Sequence, residues 1–446
     1  NSNSGAAAPA TESGSDAAET DTTGDEGKVL NIYCWNEEFK SRLTDHYPGY
    51  EEVDATSGKI GDVTVKWNIT PNDDNAYQNN LDATLLKQES AAADDKIDLF
   101  LVEADYALKY VDTDYTMPVA DLGITDADLA NQYQYTKDIV TDSNGVLKGV
   151  SWQGCPGVLF YNRDAAKEVL GTDDPDEVQK YVSDWDTFND TAETMKAAGY
   201  KMTSSVNDTY RVYSNNVTSK WVEDGKINID DNIMKWVDQT KKYTDKGYNN
   251  KSSLWDSTWA ADQGPSGKVF GFFYSTWGIN FTLLGNSLAT PVKEGGKEEV
   301  GNGIYGDYAV CEGPQSYYWG GTWICAAAGT DNANLVKDVM KTLCCDKATM
   351  KKITEDTQDY TNTTSGMNEI ASSNFKSDFL GGQNHIKLFA KSAPKISMKN
   401  ISSYDQGLNE EFQKAMKDYF DGNVTKDKAL DNFYKAAIEK YPNLSK

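Results

Sequence analysis

Carboxylates and indole rings recur side by side in this chain. Trp35-Asn36-Glu37-Glu38 follows the apolar run Lys28 to Cys34, and Glu103-Ala104-Asp105-Tyr106 follows another, Ile97 to Val102. A third stretch, Tyr317-Tyr318-Trp319-Gly320-Gly321-Thr322-Trp323, sets rings on both sides of two glycines. A fourth, Val269 to Tyr274, ends in Ser275-Thr276-Trp277. Acids and amides exchange hydrogen bonds with hydroxyls, rings cover the apolar side of a pyranose, and glycines let backbone amides approach a ligand closely. Two carboxyls roughly 5 to 9.5 Å apart across one glycosidic bond would instead be hydrolytic machinery. Glu37 and Glu38 are adjacent and tend to point different ways, so Glu37 with Asp105 is the pair that a sheet edge could bring together. Bland readings stand beside these. Trp35 to Glu38 also fits an ordinary strand-to-helix turn with an acidic helix start, and the stretch from Tyr317 to Trp323 fits a packed loop.

Composition narrows the ligand. The formal charge of -26 repels phosphate backbones and anionic lipid headgroups, which disfavours nucleic acid and membrane surfaces as partners. Among 43 basic residues the arginines are Arg42, Arg163 and Arg211, although bidentate capture of carboxylate or phosphate favours arginine. An anionic ligand is disfavoured as well. Only His46 and His385 could serve imidazole chemistry or zinc, whereas 26 Tyr and 11 Trp suit a neutral polyhydroxylated ligand. The six cysteines, Cys34, Cys155, Cys311, Cys325, Cys344 and Cys345, form no CxxC pair and read mainly as buried free thiols. No serine-hydrolase elbow, HExxH, phosphate loop or GxGxxG is present. Asp142-Ser143-Asn144-Gly145 lacks the further ligands of a calcium loop and reads as a tight turn. Lys347 to Lys352 reads as a solvated helix face, and Asn216-Val217-Thr218 is weak evidence for glycosylation.

The elements that must position these residues alternate along the chain. At 446 residues, two or three domain units are expected, with a bilobal protein the default. Residues 1–27 are almost wholly small or acidic and are expected to be a disordered tether holding the rest clear of a surface. Val63, Val65, Trp67 and Ile69 alternate as a strand, Tyr77, Leu81 and Leu85 follow at helical spacing, and Ile97 to Val102 is a buried strand. This βαβ order predicts an α/β fold with mostly parallel sheets flanked by helices. The stretch from Gly149 to Asn162, broken by Gly and Pro, reads as a crossing between lobes more than a central strand. Helices are expected around Trp185 to Ala198 and Ile233 to Tyr243. Two amphipathic stripes follow, from Leu408 to Tyr419 and from Leu430 to Ile438. No run of 18 apolar residues occurs.

In this order, Trp35-Asn36-Glu37-Glu38, Glu103-Ala104-Asp105-Tyr106, the Gly149 to Asn162 crossing, Trp185-Asp186-Thr187-Phe188, Ser275-Thr276-Trp277 and Trp319-Gly320-Gly321-Thr322 resemble a known family. The chain from about residue 28 to 446 is similar to the extracellular solute-binding proteins of ABC carbohydrate importers, the class that includes maltose-binding proteins. The resemblance implies a periplasmic-binding-protein-like fold of type II, with two lobes joined by three crossing segments and a sugar clamped between them. It implies an N-terminal lobe of 28–150 plus 321–358 and a C-terminal lobe of 151–320 plus 359–446. Trp35, Asn36, Glu37, Glu38, Glu103, Asp105 and Tyr106 would line the first lobe, with Trp152 and Gln153 at the hinge. Trp277 would be the stacking platform of the second lobe, beside Trp319, Gly320 and Gly321, with Asp208, Tyr210, Trp255 and Trp259 from neighbouring loops. Glu38 and Tyr106 stand where maltose-binding relatives often carry a basic residue.

Implied partners are a neutral oligosaccharide such as a maltooligosaccharide and the permease subunits of an ABC transporter. No cofactor, metal or catalytic residue is implied. A monomer is expected on the outer face of a Gram-positive membrane, held by a lipid anchor on a cysteine that this sequence does not contain. Four tryptophans outside the crossing loops favour an oligosaccharide over a monosaccharide. A surface glycoside hydrolase or lyase and a glycan-binding adhesion module are the alternatives that the residues leave open.

Overall fold

The computed structural model describes Gly24, Asp25 and residues 27–446, so the expected tether lies almost wholly outside the described residues. The strands among them are β1 (Val29–Cys34), β2 (Tyr50–Asp54), β3 (Ser57–Ile60), β4 (Val63–Ile69), β5 (Leu99–Glu103), β6 (Pro156–Asn162), β7 (Val222–Glu223), β8 (Lys226–Ile227), β9 (Gly271–Ser275), β10 (Tyr308–Cys311), β11 (Tyr317–Tyr318) and β12 (Thr322–Ala326). They divide between two compact units. One takes the described residues up to Gly154, Gly320–Asp356 and Thr361–Met367; the other takes Cys155–Trp319, Thr357–Tyr360 and Asn368–Lys446.

The first unit is built on a six-stranded sheet in the order β12-β5-β1-β4-β3-β2. Leu30, Ile32 and Cys34 of β1 are wholly buried, as expected of a strand covered on its core face, and β1 pairs in parallel with both β4 and β5. The remaining pairings are antiparallel. Tight turns enforce this in the meander of β2 to β4: Asp54 accepts from the Thr56 amide at 2.9 Å, and Gly61 takes a left-handed φ of 58°. The core joins Leu99 and Leu101 of β5 to Ile324 and Ala326 of β12 and to Val336, Val339 and Leu343 of the helix Ala333–Cys344. Asp25 caps that helix by accepting from the amides of Asn334 and Leu335 at 3.0 and 3.1 Å.

In the second unit β6 is central and entirely buried, with β9 paired along it and β10 and β11 also bound to it, all antiparallel. Two sequence expectations are corrected here. The sheets are mixed in the first unit and antiparallel among the named strands of the second, rather than mostly parallel. The stretch read as a crossing does pass between the units at Gly154 and Cys155, but residues 156–162 are a central strand: Pro156 opens it, where its missing donor costs no interior ladder bond. Gly157 is required by its neighbour, because a Cβ there would come within 2.2 Å of the Tyr317 ring, whose hydroxyl donates to Val158 O at 2.7 Å. Gly157→Ala should therefore lower the stability of this unit by about 1–3 kcal/mol through overpacking. An unchanged urea midpoint would show that β6 can shift to make room.

Trp185 and Phe188 pack on Phe273 of this sheet, and further helices form a cluster of their own. Trp185–Ala197 is capped by Asp184 on Thr187 N and Asp231–Lys246 by Asp230 on Asn232 N, and the latter ends at Gly247 with φ 72°. The stripes of Asp405–Phe420 and Lys426–Lys440 meet through Leu408, Phe412, Met416, Phe433 and Ala437, packed with Trp221 and Trp236. Of the six cysteines, five are buried, Cys345 is partly buried, and all are free thiols. Asp142 Oδ1 accepts from Asn144 N and Val146 N at 2.9 Å, the tight turn that the sequence suggested.

Candidate functional site

Parallel pairing aligns the carboxyl ends of β1 and β5, since Ile32 faces Leu99 and Tyr33 faces Phe100. The loops Trp35 to Glu38 and Glu103 to Tyr106 therefore leave one edge of the first sheet, where ligands of open α/β sheets bind. Antiparallel β12 starts at that edge, with Thr322 opposite Glu103. Gly320 and Gly321 lead into it with φ of 68° and 103°, a path that other residues rarely take.

At this edge the half-buried Trp35 ring meets Tyr77 edge-on at 5.4 Å and Tyr106 at 6.2 Å. The Tyr77 hydroxyl, donated to Leu101 O at 2.5 Å, fixes the first contact. Asn36 accepts from Glu38 N at 3.1 Å and so sets the start of the helix Glu38–His46, while Glu37 is exposed. The Glu38 carboxylate receives Gln153 Nε2 and Thr322 Oγ1, each at 3.4 Å, with Arg42 Nη2 4.0 Å away. Gln153 Oε1 in turn accepts from Thr322 N at 2.9 Å. The first unit thus presents an aromatic and acidic edge with Glu103 half-buried and Asp105 buried.

The second unit gathers rings at one end of its own sheet. Gly157 faces both Ser275 of β9 and Tyr317 of β11, so the residues that follow these strands emerge together. Trp277 Nε1 donates to Trp319 O at 2.7 Å, and the two rings lie edge to face at 5.1 Å. Tyr274 stacks on Trp319 at 5.9 Å. Trp255 lies nearly parallel to Trp277, 6.1 Å away, and Trp259 supports it edge-on at 4.9 Å. The strand-end residue Thr276 donates to Asp359 Oδ1 at 2.7 Å and accepts from Tyr360 N at 2.9 Å, which anchors the third passage of the chain from one unit to the other.

Several sequence candidates are placed elsewhere. Trp152 is fully buried and stacks on Phe39 at 5.6 Å in the core of the first unit. Tyr210 is buried against Trp236, with its hydroxyl donated to Asn409. Asp208 is buried too and accepts from Ser204 N, Ser205 N and the Ser205 hydroxyl; burial pushes its carboxyl up to about 6. These three are internal because each spends its ring or polar atoms on its own unit. Trp259, 2% exposed, is a support rather than a surface. The sequence candidates do not include Phe281, 52% exposed beside Trp255 and Trp277, because a ring four residues after Trp277 reads as part of a buried helix stripe. Nor do they include the Tyr77 hydroxyl.

Among the described residues no group of three or more His, Cys, Asp or Glu could hold a metal ion, and no helix is long and apolar enough to cross a membrane. No curated protein sequence matches the chain. Solved structures do. An extracellular solute-binding protein of family 1 shares 16% identity at a TM-score of 0.71, over 92% of this chain and 99% of its own. An ABC-transporter-associated binding protein from B. animalis subsp. lactis Bl-04, solved with beta-1,6-galactobiose, shares 14% identity at 0.67, over 94% and 99%. The sugar-binding protein MalE of Xanthomonas citri shares 13% identity at 0.65, over 92% and 96%. The α/β fold is therefore that of MalE-like binding proteins. Residues 54–379 match the model of a family of solute-binding proteins rather than enzymes, and the chain belongs to the bacterial extracellular solute-binding protein family.

Proposed function

We propose that this protein captures a neutral oligosaccharide and delivers it to an ABC importer. The observation that carries this reading is the ring cluster of Trp255, Trp277, Trp319 and Phe281 at one end of the second unit's sheet. Stacked indoles give a sugar face a wide apolar contact, and the acids and amides of the first unit's edge, Asn36, Glu37, Glu38, Glu103 and Asp105, suit hydroxyls. A ligand contacting both units would shift an open and closed equilibrium toward closed. In this reading the two units are the lobes, and the crossings near Gly154, Gly320 and residues 357–367 are the hinge. The fold is shared with binding proteins solved with beta-1,6-galactobiose, maltose, and acarbose and a homolog of it, which supports a saccharide ligand without naming one. The permease partner, the lipid anchor, a Gram-positive source and the monomeric state belong to the same proposal.

The test is a thermal-shift and calorimetric screen of maltose to maltohexaose, cellobiose to cellohexaose, and β-1,6-galactobiose and galactotriose, with oligogalacturonates alongside. Binding of at least one neutral ladder without cleavage, and a smaller radius of gyration in solution scattering with that ligand, is the expected result. Tight binding of oligogalacturonates alone, or cleavage of the bound sugar, would refute the proposal.

A further inference from the structure

Two rings of the second unit stand apart from the rest of its aromatic cluster in how they are held. Trp277 is half-buried and fixed: its indole N–H is tied to Trp319 O, and Tyr274 meets it at 90°. Trp255 and Phe281 are outermost, 51% and 52% exposed. Single exposed apolar side chains are ordinary, but these two touch, at 6.1 Å and 83°, and both also touch Trp277. They form a floor and a wall: Trp255 runs nearly parallel to Trp277, at 20°, while Phe281 stands across both.

The backbone strains to present them. Trp255 sits at φ 71° and Lys251 at φ 57°, left-handed positions unfavourable for side chains of this size. The loop is pinned on each side of the strained tryptophan. Asp256 accepts from Ser253 N and Trp259 N, each at 2.8 Å, and Lys417 Nζ donates to Lys251 O at 3.1 Å. Phe281 comes from a π-helical turn, Ile279–Leu283, whose wider winding turns it away from the position an α-helix would give it relative to Trp277. Residues held in strained conformations cluster at ligand sites, and here the strain holds an indole at the surface rather than in the core.

We infer that Trp255 and Phe281 form an outer stacking subsite next to Trp277, which makes Phe281 a residue that selects saccharide length. The inference rests on the sugar-binding reading above and adds the ligand's extent: one ring on Trp277 and at least one more against the outer pair. Stacking alone reads a sugar's face and not its hydroxyl pattern, so this subsite favours longer chains without choosing their identity.

The experiment is calorimetric titration of the full chain, Phe281→Ala, Phe281→Tyr, Trp255→Ala and Trp255→Phe with successive members of the ladder that the unsubstituted chain binds in the screen above. Phe281→Ala and Trp255→Ala should weaken the longer members about tenfold and the shortest bound member less than twofold, while Phe281→Tyr and Trp255→Phe restore the length preference. Unfolding temperatures near that of the unsubstituted chain establish that the variants fold. An equal loss at every length would make these residues props of Trp277, and no loss at any length would leave them outside the site; either overturns the inference while leaving sugar binding intact. An unsubstituted chain that binds no ladder removes both the sugar reading and this one.

Discussion

Trp277→Ala is expected to weaken oligosaccharide binding by about 2–3 kcal/mol, roughly a hundredfold, which makes it the largest single loss at the site. Trp277 follows β9, whose last residue pairs with Gly157, and its indole N–H is held by Trp319 O at 2.7 Å, so the ring is oriented before any ligand arrives. Rings ordered in advance bind without a further entropic cost, and truncation removes both the contact and that order. Trp255, Phe281, Trp319 and Tyr274 all touch this ring, so its loss would loosen the whole cluster. Trp277→Phe separates the two effects, because it keeps a smaller ring and loses the hydrogen bond to Trp319; it should retain more of the affinity than Trp277→Ala. Calorimetry on both variants decides the matter, and an affinity change under about threefold for Trp277→Ala would remove this residue from the site.

The sequence made the first edge legible and the second only in part, and the difference is physical. β1 and β5 are short, mostly apolar runs that give way to polar residues, so their ends and the acids there could be read directly. Pairing direction has no such local signal. β6, β9 and β10 are joined by long connections, and nothing within Pro156–Asn162 shows that its partners run the other way. Ring identity misled for a related reason. Trp152, Trp259 and Tyr210 have the composition of site residues, yet burial against Phe39, Trp255 and Trp236 decides their role, and contacts across many residues are invisible in sequence. Asp208 was drawn in by its charge, but it accepts the amides of Ser204 and Ser205 within its own turn. Phe281 escaped because a ring four residues after another reads as a helix core stripe, whereas a π-turn leaves it half exposed.

The stability of the second unit should be nearly flat between pH about 4.5 and 6 because two buried groups oppose each other, and His385→Gln should expose a fall of about 1.5 kcal/mol across that window. His385 is fully buried; its Nε2 lies 2.7 Å from the Gln358 carbonyl, which can only accept, so Nε2 carries the proton. Among the described residues Nδ1 has no hydrogen-bond partner, with the Phe375 and Phe389 rings at 6.0 and 5.8 Å, and burial lowers the imidazole from 6.5 to about 4. Between those values the unfolded chain binds a proton that the folded one refuses. This group therefore favours folding more as pH rises from about 4 to 6.5. Asp208 has the opposite sign. Burial raises it from 3.8 to about 6, so the folded unit keeps a proton that the unfolded chain has lost, and stability falls as pH rises through that window. Asp307, also raised by burial, adds to this fall, while Asp184 and Asp230, both lowered by hydrogen bonds from backbone amides, act only below about pH 4. His385→Gln keeps an amide donor for the Gln358 carbonyl and removes the titration, which leaves the fall due to Asp208. Asp208→Asn should give the reverse, a rise from pH about 4 to 6.5, on a lower baseline because the amides of Ser204 and Ser205 lose part of their shared acceptor. Urea unfolding at half-unit steps of pH, followed by tryptophan emission, reads both slopes as differences from the unsubstituted chain, in which the first unit's buried Asp98, raised to about 7, adds a fall of its own. A His385→Gln profile parallel to that of the unsubstituted chain would mean that the buried imidazole titrates near its ordinary value.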